Sequence, residues 1–226
     1  ALWSLRKLPA DVLDRLEKVE DELGQLKTCQ EILEVQKKME GPEAERERLL
    51  TLLDIGVFHS RTGNPTQGIQ VFRSCLDRFE KSGDSLGVAK ARIRLADASR
   101  CCGQFAVALR AADAAFPVIK ACEDEEEYLG ALNVLAGIHK RLGNLDRAEE
   151  LIAEGLRLTV EKHPLYRAEY LLSIGAIERL TGRRQAAERH LHHAFDLLFR
   201  HGRYVQASQA LIYLGWVKAT AGEFDS

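Results

Sequence analysis

A glycine recurs along this chain at a nearly constant interval, and no other feature constrains the fold as strongly. Five short stretches share it: SRTGNPTQG, SRCCGQFAVA, HKRLGNLDRA, RLTGRRQAA and TAGEFDS. The shared residues are Gly63, Gly103, Gly143, Gly182 and Gly222, which are separated by 40, 40, 39 and 40 positions. A fixed period of this size is typical of a stacked array of similar units rather than of one irregular domain.

The residues that flank each glycine repeat in the same register. Seven positions before it stands a small residue: Gly56, Ala96, Ala136, Gly175 and Gly215. Five positions after it stands another: Gly68, Ala108, Ala148 and Ala187. Twelve positions after it stands a third: Cys75, Ala115, Gly155 and Ala194. Agreement in several columns over at least four units makes chance a poor explanation.

These columns have a direct physical interpretation. A glycine supplies the positive-φ position that ends one helix and allows a tight turn into the next. Small residues at matched heights let two helices approach closely, and large apolar residues fill the space to the next hairpin. The low aromatic content, 7%, and the five prolines also favour helix over a β-sandwich or barrel. The sequence therefore predicts an all-α chain of stacked helix hairpins.

The stretch HKRLGNLDRAEELIAEGL, residues 139–156, most closely resembles the tetratricopeptide repeat family. The resemblance covers about residues 45–226. Two features depart from the family pattern: the period is about 40 residues rather than the commonest 34, and the aromatic residue expected in the first helix is mostly replaced. The resemblance implies an α-solenoid of antiparallel helix hairpins, wound into a right-handed superhelix, with helices longer than usual.

The period divides the chain into a leading region and a repeat array. The predicted repeats span about 45–82, 83–122, 123–162, 163–201 and 202–226, and the last one stops after its turn. For residues 1–44 we favour a degenerate helical hairpin that caps the array, because Gly24 lies 39 positions before Gly63. The alternative is a coiled coil, since Val12, Leu16 and Val19 begin a heptad-like stripe.

Stacked helical hairpins form a concave groove lined by the first helix of each unit. The family pattern, carried over position by position, implies a mixed and mildly basic lining. The candidate partner-binding residues are Arg61, Lys90, Arg94, Asp97, Arg100, Asn133, Lys140, Arg179 and Trp216. Such a surface suits a peptide or helix with some acidic character, and Trp216 is either a ligand anchor or part of the core.

Some members of this family grip the terminal carboxylate of chaperone tails. Lys90 and Arg94 have the spacing of the lysine and arginine used for this grip. The preceding unit carries Asp54 where an asparagine would serve, and its carboxylate would repel the ligand. Chaperone-tail binding is therefore a minor hypothesis, and solvation of the groove is the favoured role of Lys90 and Arg94.

The stretch ERHLHHAF, residues 188–195, raises the question of a metal site. The repeat register assigns Leu191 and Ala194 to packing positions, which leaves His190, His192 and His193 facing outward. Only His190 and His193 are one turn apart, so we favour a solvated helix face over zinc binding. The sequence also lacks phosphate-binding, dinucleotide-binding, nucleophile-elbow and zinc-protease motifs. We expect no metal, no cofactor and no catalysis.

The composition narrows the classes of partner. A net charge of −2 gives no overall attraction to nucleic acid or to an anionic membrane. The five cysteines show no CxxC spacing, which is typical of a reducing, cytoplasmic setting. The chain begins without methionine and stops inside a repeat, so we expect it to be part of a longer protein.

These features together predict a non-catalytic module that binds a protein or peptide partner within a larger regulatory or scaffold protein. The alternative is an effector-sensing domain, because the long period is similar to tetratricopeptide variants in signalling ATPases and maltose-activator-type transcription regulators. A structural spacer or self-association module is a third hypothesis.

Overall fold

The structure, a computed structural model, describes residue 24, residues 26–160 and residues 162–219. Within these ranges every regular element is an α-helix and no strand occurs. The all-α prediction is confirmed. The chain divides into two compact units, unit 1 (Ala1–Gln104) and unit 2 (Phe105–Ser226).

Unit 1 has a helical segment at residues 26–36, which precedes α1 (Pro42–Arg61), α2 (Pro65–Ser82) and α3 (Ser85–Cys101). Its helix α1 packs on α2, and α2 packs on α3. The apolar core of this unit is built around Phe72 and Phe79 of α2, both fully enclosed, with Leu49 and Leu53 of α1 and Leu95 of α3.

Unit 2 contains α4 (Phe105–Ala121), α5 (Glu125–Arg141), α6 (Leu145–Leu158), α7 (Pro164–Leu180), α8 (Arg184–Arg200) and α9 (Tyr204–Ala219). Each helix packs on the next one along the chain, and α7 also packs on both α5 and α9. We call α1, α3, α5, α7 and α9 the first helices, because each precedes a turn glycine of the repeat. Contact between successive first helices is what the stacked-hairpin prediction requires.

The turn glycines adopt the backbone conformation that the sequence predicted. Gly63, Gly103, Gly143 and Gly182 have φ values of 87°, 75°, 81° and 76°. In each turn the residue after the glycine donates its N–H to a carbonyl five positions earlier, at distances from 2.8 to 2.9 Å. These bonds satisfy carbonyl groups that a helix end would otherwise leave unpaired. The fifth turn, at Gly222, lies outside the described residues.

The small-residue columns lie where the helices touch. In each of the three small-residue columns, the members from the first four repeats are buried. A Cβ added at Gly175 of α7 would lie 2.7 Å from Cγ of Leu191 on α8. Gly155 of α6 faces the ring of Tyr170 on α7, again without room for a side chain. The columns are therefore small because neighbouring helices approach closely, as the repeat predicted.

Gly215 of α9 differs from the other members of its column. It is exposed, and a Cβ at this position would meet no atom within 4 Å. The corresponding Gly175 is covered by α8, whereas no second helix of the α9 hairpin occurs within the described part of the chain. The same sequence register therefore has a packing role in α7 and leaves an open face in α9.

Gly24 does not form the turn that the alignment predicted. It lies in a helical conformation, and its carbonyl accepts a hydrogen bond from Thr28 Oγ1 at 2.9 Å. Its φ is outside the left-handed region that the other turn glycines share. The heptad residues Val12, Leu16 and Val19 lie outside the described residues. The cap formed by residues 1–44 therefore stays a prediction, and Gly24 does not supply its turn.

Candidate partner-binding site

All nine residues predicted to line the groove lie on first helices, and none is in the buried core. Arg61 and Trp216 are exposed, and the others are half-buried. Five belong to unit 1 and four to unit 2. The unit 1 residues are Arg61, Lys90, Arg94, Asp97 and Arg100, and the unit 2 residues are Asn133, Lys140, Arg179 and Trp216.

The unit 1 surface is partly neutralised by its own charges. On α3, Arg100 Nη2 donates to Asp97 Oδ1 at 2.6 Å, one helical turn away. Such a half-exposed pair contributes less than about 1 kcal/mol to stability, but it occupies both charges in the free protein. Asp54 is exposed on α1, the helix that would have to supply an asparagine for chaperone-tail binding. This geometry gives chaperone-tail binding no further support.

The unit 2 surface contains a hydrogen bond between adjacent first helices. Asn133 Nδ2 on α5 donates to Glu169 Oε2 on α7 at 2.7 Å. Asn133 is one of the predicted groove residues, and the structure places Glu169 of the neighbouring first helix against it. The pair also places a carboxylate on a surface that the sequence predicted to be mildly basic.

The most distinctive feature of unit 2 is an arginine stacked on two aromatic rings. The guanidinium carbon of Arg179 on α7 lies 4.9 Å from the ring centroid of Trp216 and 5.8 Å from that of Tyr213, both on α9. The two rings are themselves 5.6 Å apart. We call Arg179, Tyr213 and Trp216 the Arg179 cluster. Cation–π contacts of this kind contribute about 0.5–1 kcal/mol at exposed sites and orient the guanidinium plane.

The Arg179 cluster is open to solvent on one side. Trp216 is 49% exposed, and Ile212, one turn earlier on α9, is 52% exposed. Nε of Arg179 is enclosed and has no hydrogen-bond partner, and the residue as a whole is half-buried. Tyr213 was absent from the sequence prediction. Its position three residues before Trp216 was the available signal, because residues at this spacing share a helix face.

The carboxylate next to Arg179 in sequence points away from the cluster. Glu178 is only 5% exposed, and its Oε2 lies 2.7 Å from Nδ1 of His190 on α8. His192 and His193 are exposed, whereas His190 is half-buried in this pair. The histidine stretch is thus an outer helix face on which one histidine is turned inward. The sequence analysis did not identify Glu178 as a buried residue, because a charged residue ahead of a turn is usually solvated.

Other kinds of site find little support in the described residues. They contain no group of three His, Cys, Asp or Glu side chains that could hold a metal ion. Burial raises the pKa of Cys75 to about 11, against the opposing effect of Arg78, so this thiol is protonated at neutral pH. No helix in the described ranges has both the length and the apolar character needed to cross a membrane.

Comparisons with known proteins agree with this architecture. Residues 129–163 match the family model described as tetratricopeptide repeat. Rap protein, in a crystal structure complexed with Competence and Sporulation Factor, superposes with a TM-score of 0.70 at 16% identity, covering 87% of this chain and 54% of Rap. BtubC (BKLC) from P. vanneervenii superposes with a TM-score of 0.67 at 18% identity, covering 90% of this chain and 85% of BtubC.

A curated relative shares part of the sequence. RxLR effector protein SFI4 of Phytophthora infestans (strain T30-4) is 27% identical over 124 residues, which cover 51% of this chain and 37% of SFI4. This chain therefore spans little more than a third of that relative. The family-model match falls on α5 and α6, the hairpin that contains the most repeat-like stretch of the sequence. These comparisons confirm the resemblance to tetratricopeptide repeats and the helical-repeat fold.

Proposed function

We propose that this chain is a non-catalytic interaction module that binds a protein or peptide through the outward faces of its first helices, within a larger regulatory or scaffold protein. The tetratricopeptide match at residues 129–163 and the helical-repeat fold support an interaction module in general. The observation that carries the finer proposal is the Arg179 cluster, where an arginine and a half-exposed tryptophan meet on the predicted binding face. Tryptophan and arginine are enriched among the residues that dominate interface energies.

The rest of the first-helix surface supports the same role. Apart from Trp216 its candidate side chains are polar or charged, and all nine are exposed or half-buried, whereas the small-residue columns of the first four repeats are buried. A partner can therefore contact this surface without disturbing the packing of the hairpins. In the complex of Rap with Competence and Sporulation Factor a protein of similar fold binds such a factor, but the likeness to this chain extends only to the fold.

The proposal is tested by capture from the native cell extract with the 226-residue chain and matched variants. One variant carries Lys90→Glu and Arg94→Glu in unit 1, and another carries Arg179→Glu and Trp216→Ala in unit 2. Arg189→Glu, an exposed position on the second helix α8, is the control, and its change in charge matches that of the unit 2 variant. Each captured protein is then purified and its affinity for all four chains measured by calorimetry.

We expect at least one first-helix variant to lose a partner by about tenfold or more in affinity while the control retains it. Equal helicity by circular dichroism is required of each variant. Partners that bind all variants equally would refute binding through the first helices. The structural-spacer hypothesis would then be favoured. The effector-sensing alternative stays a prediction, favoured if the full-length protein carries a DNA-binding or nucleotide-binding domain.

A further inference from the structure

The Arg179 cluster has a more specific chemistry than a general contact surface. The side chain of Arg179 takes part in no ion pair or hydrogen bond within the described part of the chain. Its enclosed Nε leaves one donor without a partner, a state that costs free energy in a folded protein. An arginine held in this way is oriented by its aromatic neighbours and is not neutralised by the protein's own acids.

Glu178, the acid nearest to Arg179 in sequence, does not pair with its guanidinium. Glu178 is directed into the space between α7 and α8, where it pairs with His190. The acid on the adjacent stretch of the same face, Glu169, accepts from Asn133. Both carboxylates therefore have partners of their own, and the guanidinium of Arg179 is left able to bind a carboxylate of another molecule.

The geometry also indicates how that acceptor approaches. Because Nε is enclosed in a residue that is otherwise half-buried, the route open to a carboxylate is end-on, across the two terminal nitrogens. Trp216 and Ile212 lie one turn apart on α9 and together offer apolar surface beside the guanidinium. An acidic side chain with an apolar neighbour matches both parts of this surface.

A single carboxylate fits this site better than a phosphate. Phosphate dianions are usually held by several cations or backbone N–H groups, and Arg179 is the one cation in the cluster. Glu169 adds a negative charge to the same face of unit 2. The charge balance therefore favours a monoanionic side chain.

We propose that the Arg179 cluster is a subsite for one Asp or Glu side chain of a partner peptide, with an adjacent Leu, Ile or Phe packed on Trp216 and Ile212. This proposal rests on the proposed function, because it names the chemistry of the partner at the same surface. It is distinct from chaperone-tail recognition, since the ligand is an internal acidic side chain and the residues belong to unit 2.

The test begins with selection from a random twelve-residue peptide library, displayed without a free C-terminal carboxylate, on the 226-residue chain. We expect the retained peptides to be enriched in an acidic residue within two positions of a large apolar one. The same selection on Arg179→Gln is expected to lose the acidic preference, and on Ile212→Ser the apolar preference. Arg189→Gln, exposed on α8, is the control and should select as the wild type does.

A double-mutant cycle then locates the contact. The best peptide and its Glu→Gln or Asp→Asn counterpart are titrated against wild type and Arg179→Gln, with Trp3→Phe in both so that Trp216 reports binding by fluorescence. If Arg179 contacts that acid, each single change weakens binding about tenfold and the combination costs little more than either alone. Arg179→Lys keeps the charge without the planar fork and should lose part of the affinity.

The outcomes separate this subsite from the proposed function. Peptides retained without acidic enrichment, or additive losses in the cycle, overturn the carboxylate subsite and leave peptide binding intact. A phosphorylated counterpart that binds more than tenfold tighter than the acidic peptide also overturns it. If the wild type retains no peptide from the library, the peptide-binding function itself is contradicted.

Discussion

Helices α7 and α9 occupy the same place in successive repeats, yet they have different physical environments. In α7, Gly175 is buried against Leu191 and Tyr170 is fully enclosed. In α9, Gly215 is exposed and Ile212 is half-exposed. The difference teaches that the repeat register assigns a role to each position, but a neighbouring helix is needed to enforce it. Where no such neighbour lies within the described residues, the same register leaves these positions exposed.

The largest expected effect comes from comparing a fully enclosed side chain of α7 with a half-exposed one of α9. Tyr170→Ala should destabilise unit 2 by about 3–5 kcal/mol, because it opens a cavity in the core and leaves the carbonyl of Leu129, which accepts from the tyrosine hydroxyl at 2.6 Å, without its partner. Ile212→Ala should change stability by about 0.5 kcal/mol or less. Urea unfolding followed by circular dichroism measures the free energy of unfolding of both variants. Comparable losses would contradict the difference in burial between α7 and α9.

The two glycines of the same column provide the next test. Gly175→Ala should destabilise by about 1–2 kcal/mol, since the strain against Leu191 outweighs the gain in helix propensity. Gly215→Ala has room for its methyl group and should stabilise by up to about 1 kcal/mol. Melting temperatures of the two variants should therefore move in opposite directions. If both melting temperatures moved in the same direction, the contrast in packing between α7 and α9 would be contradicted.

A pH-dependent effect on stability is expected at Tyr128, which has a hydrogen bond between two helices. Tyr128 on α5 donates to Glu154 on α6 at 2.6 Å, whereas the hydroxyl of Tyr213 on α9 accepts from Gln209 on its own helix at 3.0 Å. Burial, followed by the hydrogen bond and charge of Glu154, raises the pKa of Tyr128 to about 12 from its ordinary value of 10.0. Folding therefore favours the neutral phenol.

The raised pKa sets the direction of the alkaline effect. The stabilisation is fully present below about pH 10 and is lost as the pH rises through about 12. Tyr128→Phe should cost about 1 kcal/mol at neutral pH from the lost hydrogen bond, and it should flatten part of the fall in stability between pH 10 and 12. Denaturant midpoints across that range test the prediction, and an unchanged alkaline slope would contradict it.

The smallest stability effect is expected at the Arg179 cluster. Trp216→Ala should cost about 1 kcal/mol or less, because the ring is half-exposed and is held by a cation–π contact with Arg179 and a ring contact with Tyr213. Thermal unfolding of this variant beside Ile212→Ala measures it. A loss of several kcal/mol would mean that Trp216 serves the core of unit 2 rather than a binding surface.

The sequence by itself determined the periodic part of this protein. Turn glycines, small contact residues and apolar neighbours recur because each hairpin solves the same packing problem, so Gly143 or Ala148 could be assigned without coordinates. The assignment failed at Gly24, where a shared interval was not accompanied by the left-handed backbone of the other turns. An interval alone does not fix a dihedral angle.

Only the tertiary structure decided which side chains meet. The pairing of Glu178 with His190, the hydrogen bond from Asn133 to Glu169, and the stacking of Arg179 on Tyr213 and Trp216 each join different helices. Such contacts depend on the rotation and height of one helix against the next, to within a few ångströms. A repeat period specifies which helices are neighbours, but the packing of individual side chains sets the distances that give the surface its chemistry.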